Sequence, residues 1–359
     1  MNILNGLLEE FRDLRRNGFV SALMLHSEGK KIAGIYGVNI PREILWALDI
    51  IPINVYSIDE TNIEEADKYL NKHFCSLIKA SYGYAIMDKC PFLHFSDIII
   101  GNNMCSKKID MFSKLNFKKV YIMNEHNDIN SLINEFKQLI SFLENEFSIK
   151  LDERKLVSII TKLNKINKIV NEIIDIYMLQ PNIITCADLF NVIYGSQFIF
   201  NLDEKYHMIF EFKNAFEKLR NDKCFISNND VIQKRILLSG APLAGLIDKI
   251  LETFNSIENT KTLFSSQCEG ENYKIINENK EFNSALAEKY LSCCEHKELE
   301  YLINKYKIDA IININLFECN NLLKEHNYLN KPNLTITTNY FESDKHVTQN
   351  YIKSFINNI

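Results

Sequence analysis

No apolar run among the 359 residues approaches the ~18 consecutive positions of a membrane-spanning helix, so a membrane is not an expected partner. The opening stretch MNILNGLLEEFRDLRRNGF is charged throughout and reads as an amphipathic helix. It lacks the apolar core and small-residue cleavage site of a secretory signal, which points to a cytoplasmic protein. Any concentrated basic face is also missing, and the net charge of -5 argues against nucleic acid as a partner. Neither GxxxxGK(S/T) nor GxGxxG occurs, so the chain has no evident nucleotide-phosphate loop of its own. No two of the nine cysteines stand at the C-x2-4-C spacing usual in structural zinc sites. Without a secretory signal they do not suggest a disulfide framework either.

What is present reads as a soluble globular protein, with 46% hydrophobic and 24% charged residues. The length exceeds that of a typical single core, so two or three lobes are expected. In KKIAGIYGVNIPREILWALDIIPINVY a strand (Ile32 to Tyr36) runs into a turn. Pro41 suits the first turn of a helix carrying Ile44, Leu45 and Leu48, and IIPINVY returns as a second strand. SDIIIG reads as a strand buried on both faces, as in a parallel sheet, and FKKVYIM adds another. From about Asn127 to Phe216 the periodicity turns helical. Leu132, Phe136, Leu139 and Leu143 mark one face, and Leu156, Ile160, Leu163 and Val170 mark another behind an N-cap at Asp152. The α/β pattern restarts in KRILLSGAPLAGLIDKILETF, where strand, Gly240, Pro242 and helix echo strand, Gly37, Pro41 and helix. KIDAIININLFEC likewise echoes FSDIIIGNNMC. The expected fold is α/β: two doubly wound Rossmann-like lobes, at 1–126 and 231–359, with a helical segment at 127–230. Ligands of such sheets gather beyond the carboxyl ends of the strands, where Cys105 and Cys319 would lie.

Each lobe offers three candidate thiols. Cys75, Cys90 and Cys105, spaced fifteen residues apart, belong to the first. Cys268, Cys293 or Cys294, and Cys319 belong to the second. Cys186 and Cys224 stand alone and read as small buried hydrophobes. His94 and His326 lie near cysteines in sequence, but ordinary polar or capping histidines are the simpler reading. Thiolates scattered over strand-end loops, converging only in the fold, suit an iron–sulfur cluster, with buried core thiols as the alternative.

The block CSLIKASYGYAIMDKCPFLHFSDIIIGNNMCSKK resembles the core of the 2-hydroxyacyl-CoA dehydratase family, of the 2-hydroxyglutaryl-CoA dehydratase D-component type. It is closest to that family's branch of double-cubane iron–sulfur cluster proteins. GIYGVNIPREILWALDIIP, EEADKYL, KRILLSGAPLAG, KYLSCC and IDAIININLFECNN have counterparts in the same order. The resemblance implies a cluster site between the two lobes. Dehydrating members carry one 4Fe-4S cluster and use it to place an electron on a 2-hydroxyacyl-CoA thioester. The double-cubane branch holds two linked cubanes, reduced by a separate ATP-hydrolysing iron–sulfur activator protein. Carried over by motif, Cys75, Cys90 and Cys105 would serve one cubane. Cys268, Cys319 and Cys294 (or Cys293) would serve the other. A homodimer or a pair of related subunits is the implied assembly.

The departures from the family pattern fall mostly on polar groups. Ala241 stands where the branch has cysteine, and the loop between two further cysteines is compressed to Cys293-Cys294. Asn320 replaces a histidine, while Glu325 keeps an acidic position and is the one catalytic candidate. Thr337 and Asn339 occupy usually acidic positions. Three functions follow from the resemblance: a double-cubane electron-transfer enzyme reducing a small molecule at low potential, a 2-hydroxyacyl-CoA dehydratase component (a lyase), or a non-catalytic, degenerate cluster-binding subunit.

Overall fold

The computed structural model describes residues 2–116, 118–179, 183–221, 233–266, 270–271, 273–292, 295–319 and 330–359. Its frame is a pair of parallel four-stranded sheets. The first contains β1 (Lys31–Tyr36), β2 (Ile50–Asn54), β3 (Ile98–Asn102) and β4 (Val120–Met123), in the order β2-β1-β3-β4. The second contains β5 (Lys234–Gly240), β6 (Thr260–Ser266), β7 (Ala310–Leu316) and β8 (Asn333–Thr338), in the equivalent order β6-β5-β7-β8. The expected pair of α/β lobes is therefore present, with one topology used twice.

The helices that precede the second sheet are α1 (Asn2–Ser27), α2 (Arg42–Ala47), α3 (Ile63–Asp67), α4 (Ser76–Ile86), α5 (Pro91–Phe95), α6 (Ser106–Lys114), α7 (Ile129–Phe147), α8 (Glu153–Leu179), α9 (Cys186–Ser196) and α10 (Leu202–Asn221). Those that follow β6 are α11 (Phe282–Leu291), α12 (Glu295–Tyr306) and α13 (Lys345–Asn358). The α7 helix starts at Asp128, whose carboxylate accepts the Ser131 N–H. Asp152 likewise accepts the Arg154 N–H at the start of α8. Both are the side-chain caps that a helix N-terminus requires.

The near-continuous apolar strands are explained by burial on both faces. In β3, Ile98 and Ile100 enter the core shared with α7, while Ile99 enters the core on the opposite side. In β1, Ile32 and Tyr36 face the same way as Ile99, and Ala33 and Ile35 face the other way. Each fully buried isoleucine contributes about 1.5–3 kcal/mol, so neither face tolerates polar alternation.

Two features of the chain path go beyond pattern. First, α11 follows the second lobe's β6 in sequence but packs on the first sheet, against α7. A fully buried ion pair holds it there: Lys289 Nζ lies 2.7 Å from Glu43 Oε1 on α2. The Tyr290 hydroxyl donates to Glu43 Oε2 at 2.8 Å and reaches the Ile40 carbonyl at 3.0 Å. Second, α8, about 40 Å long by helical rise, contacts α2 of the first lobe and β6 of the second. Asparagines along it grip the extended segment before α11. Asn164 pairs with both backbone groups of Ile276, Asn167 with the Lys274 carbonyl and Asn171 with the Tyr273 carbonyl.

The helix expected after Gly240 does not form. Residues 241–250 make turns and Leu251–Ser256 a 3-10 helix. Pro242 disfavours the helical conformation before it. Gly245 lets the Tyr340 ring approach so closely that a Cβ would lie 2.5 Å from it. The fully buried Lys249 then binds the Asn339 carbonyl at 2.9 Å and Asp344 at 2.5 Å, tying these turns to the end of β8.

The Glu43–Lys289 pair provides a stability test. Glu43→Ala leaves an ammonium buried without its carboxylate and should cost about 3–5 kcal/mol in denaturant unfolding. Glu43→Leu combined with Lys289→Met should lie within about 1 kcal/mol of the parent. A single variant as stable as the parent would show that the pair does not hold α11.

Candidate functional site

In sheets of this order the strand connections reverse between the first and third strands, which opens a crevice at their carboxyl ends. Cys105 and Cys319 occupy the same place in the two lobes, each three residues beyond its strand, after β3 and after β7. Gly37 follows β1 and Gly240 ends β5, both with positive φ (147° and 113°). A Cβ on Gly240 would lie 2.2 Å from the Ile314 carbonyl oxygen, so β7 approaches through the space a side chain would fill.

Cys75 reaches the same region from the connection between β2 and β3. One ammonium ties the three segments together. Lys107 Nζ donates to the Glu318 carbonyl at 2.5 Å and to the carbonyl of His73. His73 lies two residues before Cys75, Lys107 two residues after Cys105, and Glu318 immediately before Cys319. His73 Nδ1 also meets Glu318 Oε2 at 3.3 Å. Cys75 and Cys319 are buried and Cys105 is half-buried.

Cys75 and Cys105 are the N-cap residues of α4 and α6, and neither side chain caps its helix. Serine, threonine, aspartate or asparagine there would stabilise each helix by about 1 kcal/mol. Cysteine forgoes that and leaves a sulfur at each helix N-terminus. Among the described residues no three His, Cys, Asp or Glu side chains are placed to share a single metal ion. That arrangement is not what a cubane requires, since each of its irons takes its own thiolate.

Cys90 is not brought to this junction. It caps α5 after the turn that ends α4, a helix that runs about 16 Å away from Cys75. Burial pushes its thiol above the usual range. It borders a separate surface depression with Tyr82, Tyr84 and His94. His94 pairs with Asp88 at 2.8 Å, an ordinary polar contact. Cys186 is a core residue of α9, where burial raises its thiol to about 12. Cys224, Cys268, Cys293, Cys294, Glu325 and His326 lie outside the described residues.

Between the carboxyl ends of the two sheets lies a cavity of about 950 Å³. Asn39, Asn102 and Met104 line it from the first lobe, and Pro242, Ser266 and Glu271 from the second. Met104 adjoins Cys105, so the cavity and the thiol junction share one loop. Asn102 is 2% exposed, yet neither its carboxamide nitrogen nor its oxygen has a partner, and the Ser266 hydroxyl is also unpaired. Buried polar groups are almost always paired, so these are open to a polar ligand or to water in the cavity. Glu271 is half-buried. Burial opposes its charge, but Lys205 at 2.7 Å and Arg42 at 3.9 Å hold its carboxyl below the usual range. Arg42 also donates to Asn54 at 2.6 Å, and Asn54 donates to Gln197 at 2.7 Å. Sequence reasoning missed Lys107, Asn102, Arg42 and Glu271. Only Lys107, inside the cysteine-bearing CSKK, carried a local signal.

Residues 37–359 match the family described as 2-hydroxyglutaryl-CoA dehydratase, D-component. The chain is also 27% identical, over 98% of each sequence, to an Escherichia coli K12 protein named "Putative dehydratase subunit YjiM".

Asn102→Leu tests the unpaired carboxamide. Replacing two unpaired buried polar atoms with a side chain of similar shape should raise ligand-free stability by about 1–3 kcal/mol in chemical denaturation. Unchanged or lower stability would mean that Asn102 is satisfied in solution.

Proposed function

The chain belongs to the 2-hydroxyglutaryl-CoA dehydratase D-component family, and we propose that it is a 2-hydroxyacyl-CoA dehydratase-type component holding an iron–sulfur cluster between its lobes on Cys75, Cys105 and Cys319. The observation that carries this reading is the Lys107 tie, which draws the three cysteine-bearing segments of two lobes to one place. The donor set suits the group: thiols are soft ligands, and two of them stand at helix N-termini, where the helix dipole is complementary to an anionic group. When bound, such a cluster supplies single electrons at low potential beside the interlobe cavity. The protein's own part is to hold the acyl thioester there, keep bulk water away and place polar groups, Asn102 among them, against it.

Two further parts of the reading concern partners. With no phosphate-binding loop in its sequence, the chain relies on a separate ATP-hydrolysing iron–sulfur activator for electrons. It assembles with a second copy or a related subunit. A double-cubane electron-transfer enzyme is the competing form. It needs a second thiol set drawn from Cys268, Cys293 and Cys294, and iron stoichiometry separates the two forms.

Anaerobic reconstitution followed by iron and acid-labile sulfide analysis is the direct test. Cys75→Ser, Cys105→Ser and Cys319→Ser should each lose most of the iron, because serine is a poor ligand for a soft iron site. Cys90→Ser should keep it. Full iron in any of the first three variants would overturn the ligand set. The proposal expects about four irons per chain, and about eight would favour the double cubane.

Reduction of the reconstituted cluster by the activator should require ATP, and the chain alone should hydrolyse none. Equal reduction with and without ATP, followed by visible absorption, would remove the activator from the scheme.

A further inference from the structure

A second group of side chains faces the same cavity from the first lobe without involving the thiols. Past β4 the chain turns through Asn124, Glu125 and His126, and His126 lines the cavity. Its Nε2 lies 3.2 Å from Oε2 of Glu135, a 3% exposed carboxylate on α7. Glu135 also accepts from Asn124 Nδ2 at 3.2 Å and from the Tyr121 hydroxyl at 3.4 Å. Three donors around a buried carboxylate leave it one position.

A carboxylate only accepts, so the proton between the two residues belongs to His126 Nε2. The neutral ring then carries its lone pair on Nδ1. The turn is also fixed relative to the thiol loop. Asn103, two residues before Cys105, donates to Asn124 Oδ1 at 3.1 Å, accepts the Glu125 N–H at 2.9 Å, and donates its own N–H to the Met123 carbonyl at 3.0 Å. An imidazole aligned by a buried carboxylate and facing a ligand cavity is the arrangement of a general base.

We propose that His126, aligned by Glu135, is the proton-transfer group of the interlobe cavity; this rests on the dehydratase reading above. Dehydration of a 2-hydroxyacyl thioester breaks the C2–O bond and a C3–H bond and forms the C2=C3 bond. The C3 proton and the C2 hydroxyl leave together as water, with no net change in electrons. His126 takes the C3 proton on Nδ1 and returns it to the departing oxygen. Glu135 is a positioning residue that holds the ring in the Nε2–H tautomer.

The test uses the full-length protein with 15N-labelled histidines and 2-hydroxyglutaryl-CoA as probe. The His126 signal, assigned by its loss in His126→Gln, should report the Nε2–H tautomer and shift when the thioester binds. Glu135→Gln should remove the tautomer preference. In the iron-loaded enzyme with its partner and activator, His126→Gln should lower kcat by about 10²–10⁴-fold while thioester affinity stays within threefold. A His126 signal unmoved by bound thioester overturns the proposal, as does kcat within threefold of the parent with iron retained. A parent enzyme that binds thioester but does not dehydrate it removes the dehydratase reading, and the His126 signal then still decides whether this residue meets the ligand. Thioester that does not bind at all overturns both.

Discussion

The buried ion pair between Glu43 and Lys289 fixes the docking of α11, which follows the second lobe's β6 in sequence, on the sheet of the first lobe. It joins a helix that follows the first strand to one that follows the sixth, 246 positions apart in sequence. Two charges withdrawn from water gain little over apolar neighbours, but neither can be left without the other. The pair therefore specifies one docking of α11 on the first sheet more than it adds stability. With the asparagine contacts of α8, it holds the segment of residues 273–291 against the first lobe.

Within that frame the site follows from using one topology twice. Each lobe has a glycine with positive φ at the end of its first strand and a cysteine three residues beyond its third. Neither lobe alone assembles the thiol junction. Cys75 and Cys105 come from one lobe and Cys319 from the other, and the lysine that unites them bonds backbone carbonyls. Such bonds register where the chain runs and are indifferent to which side chains it carries.

Several local choices run against stability near the lobe junction. Cysteines occupy helix N-caps where oxygen side chains would serve better. Asn102 and Ser266 bury unpaired polar atoms at the cavity wall, and Arg42, Glu271 and Lys205 gather charge beside it. Departures from local rules are common at functional sites, and these border the cavity and the thiol junction.

The sequence by itself determined the α/β class, the strands and most helices, because burial on both faces or on one stripe writes a period into the chain. Ile98 to Ile100 and the α7 face of Leu132, Phe136, Leu139 and Leu143 were legible for that reason. The repeated pattern around Gly37 and Gly240 foretold two similar lobes and put Cys105 and Cys319 at strand ends. It did not foretell the turns after Gly240, where a buried lysine and a close tyrosine ring outweigh the apolar pattern of a helix. Nor could it separate Cys90 from Cys75, although both precede helices and share a spacing. Only the tertiary structure decided that. One helix length parts two thiols that look equivalent in sequence, while chain folding joins Cys319 to Cys75 across 244 positions. Periodicity records which face of an element is buried, whereas a site records which elements meet, and that depends on contacts no local window contains.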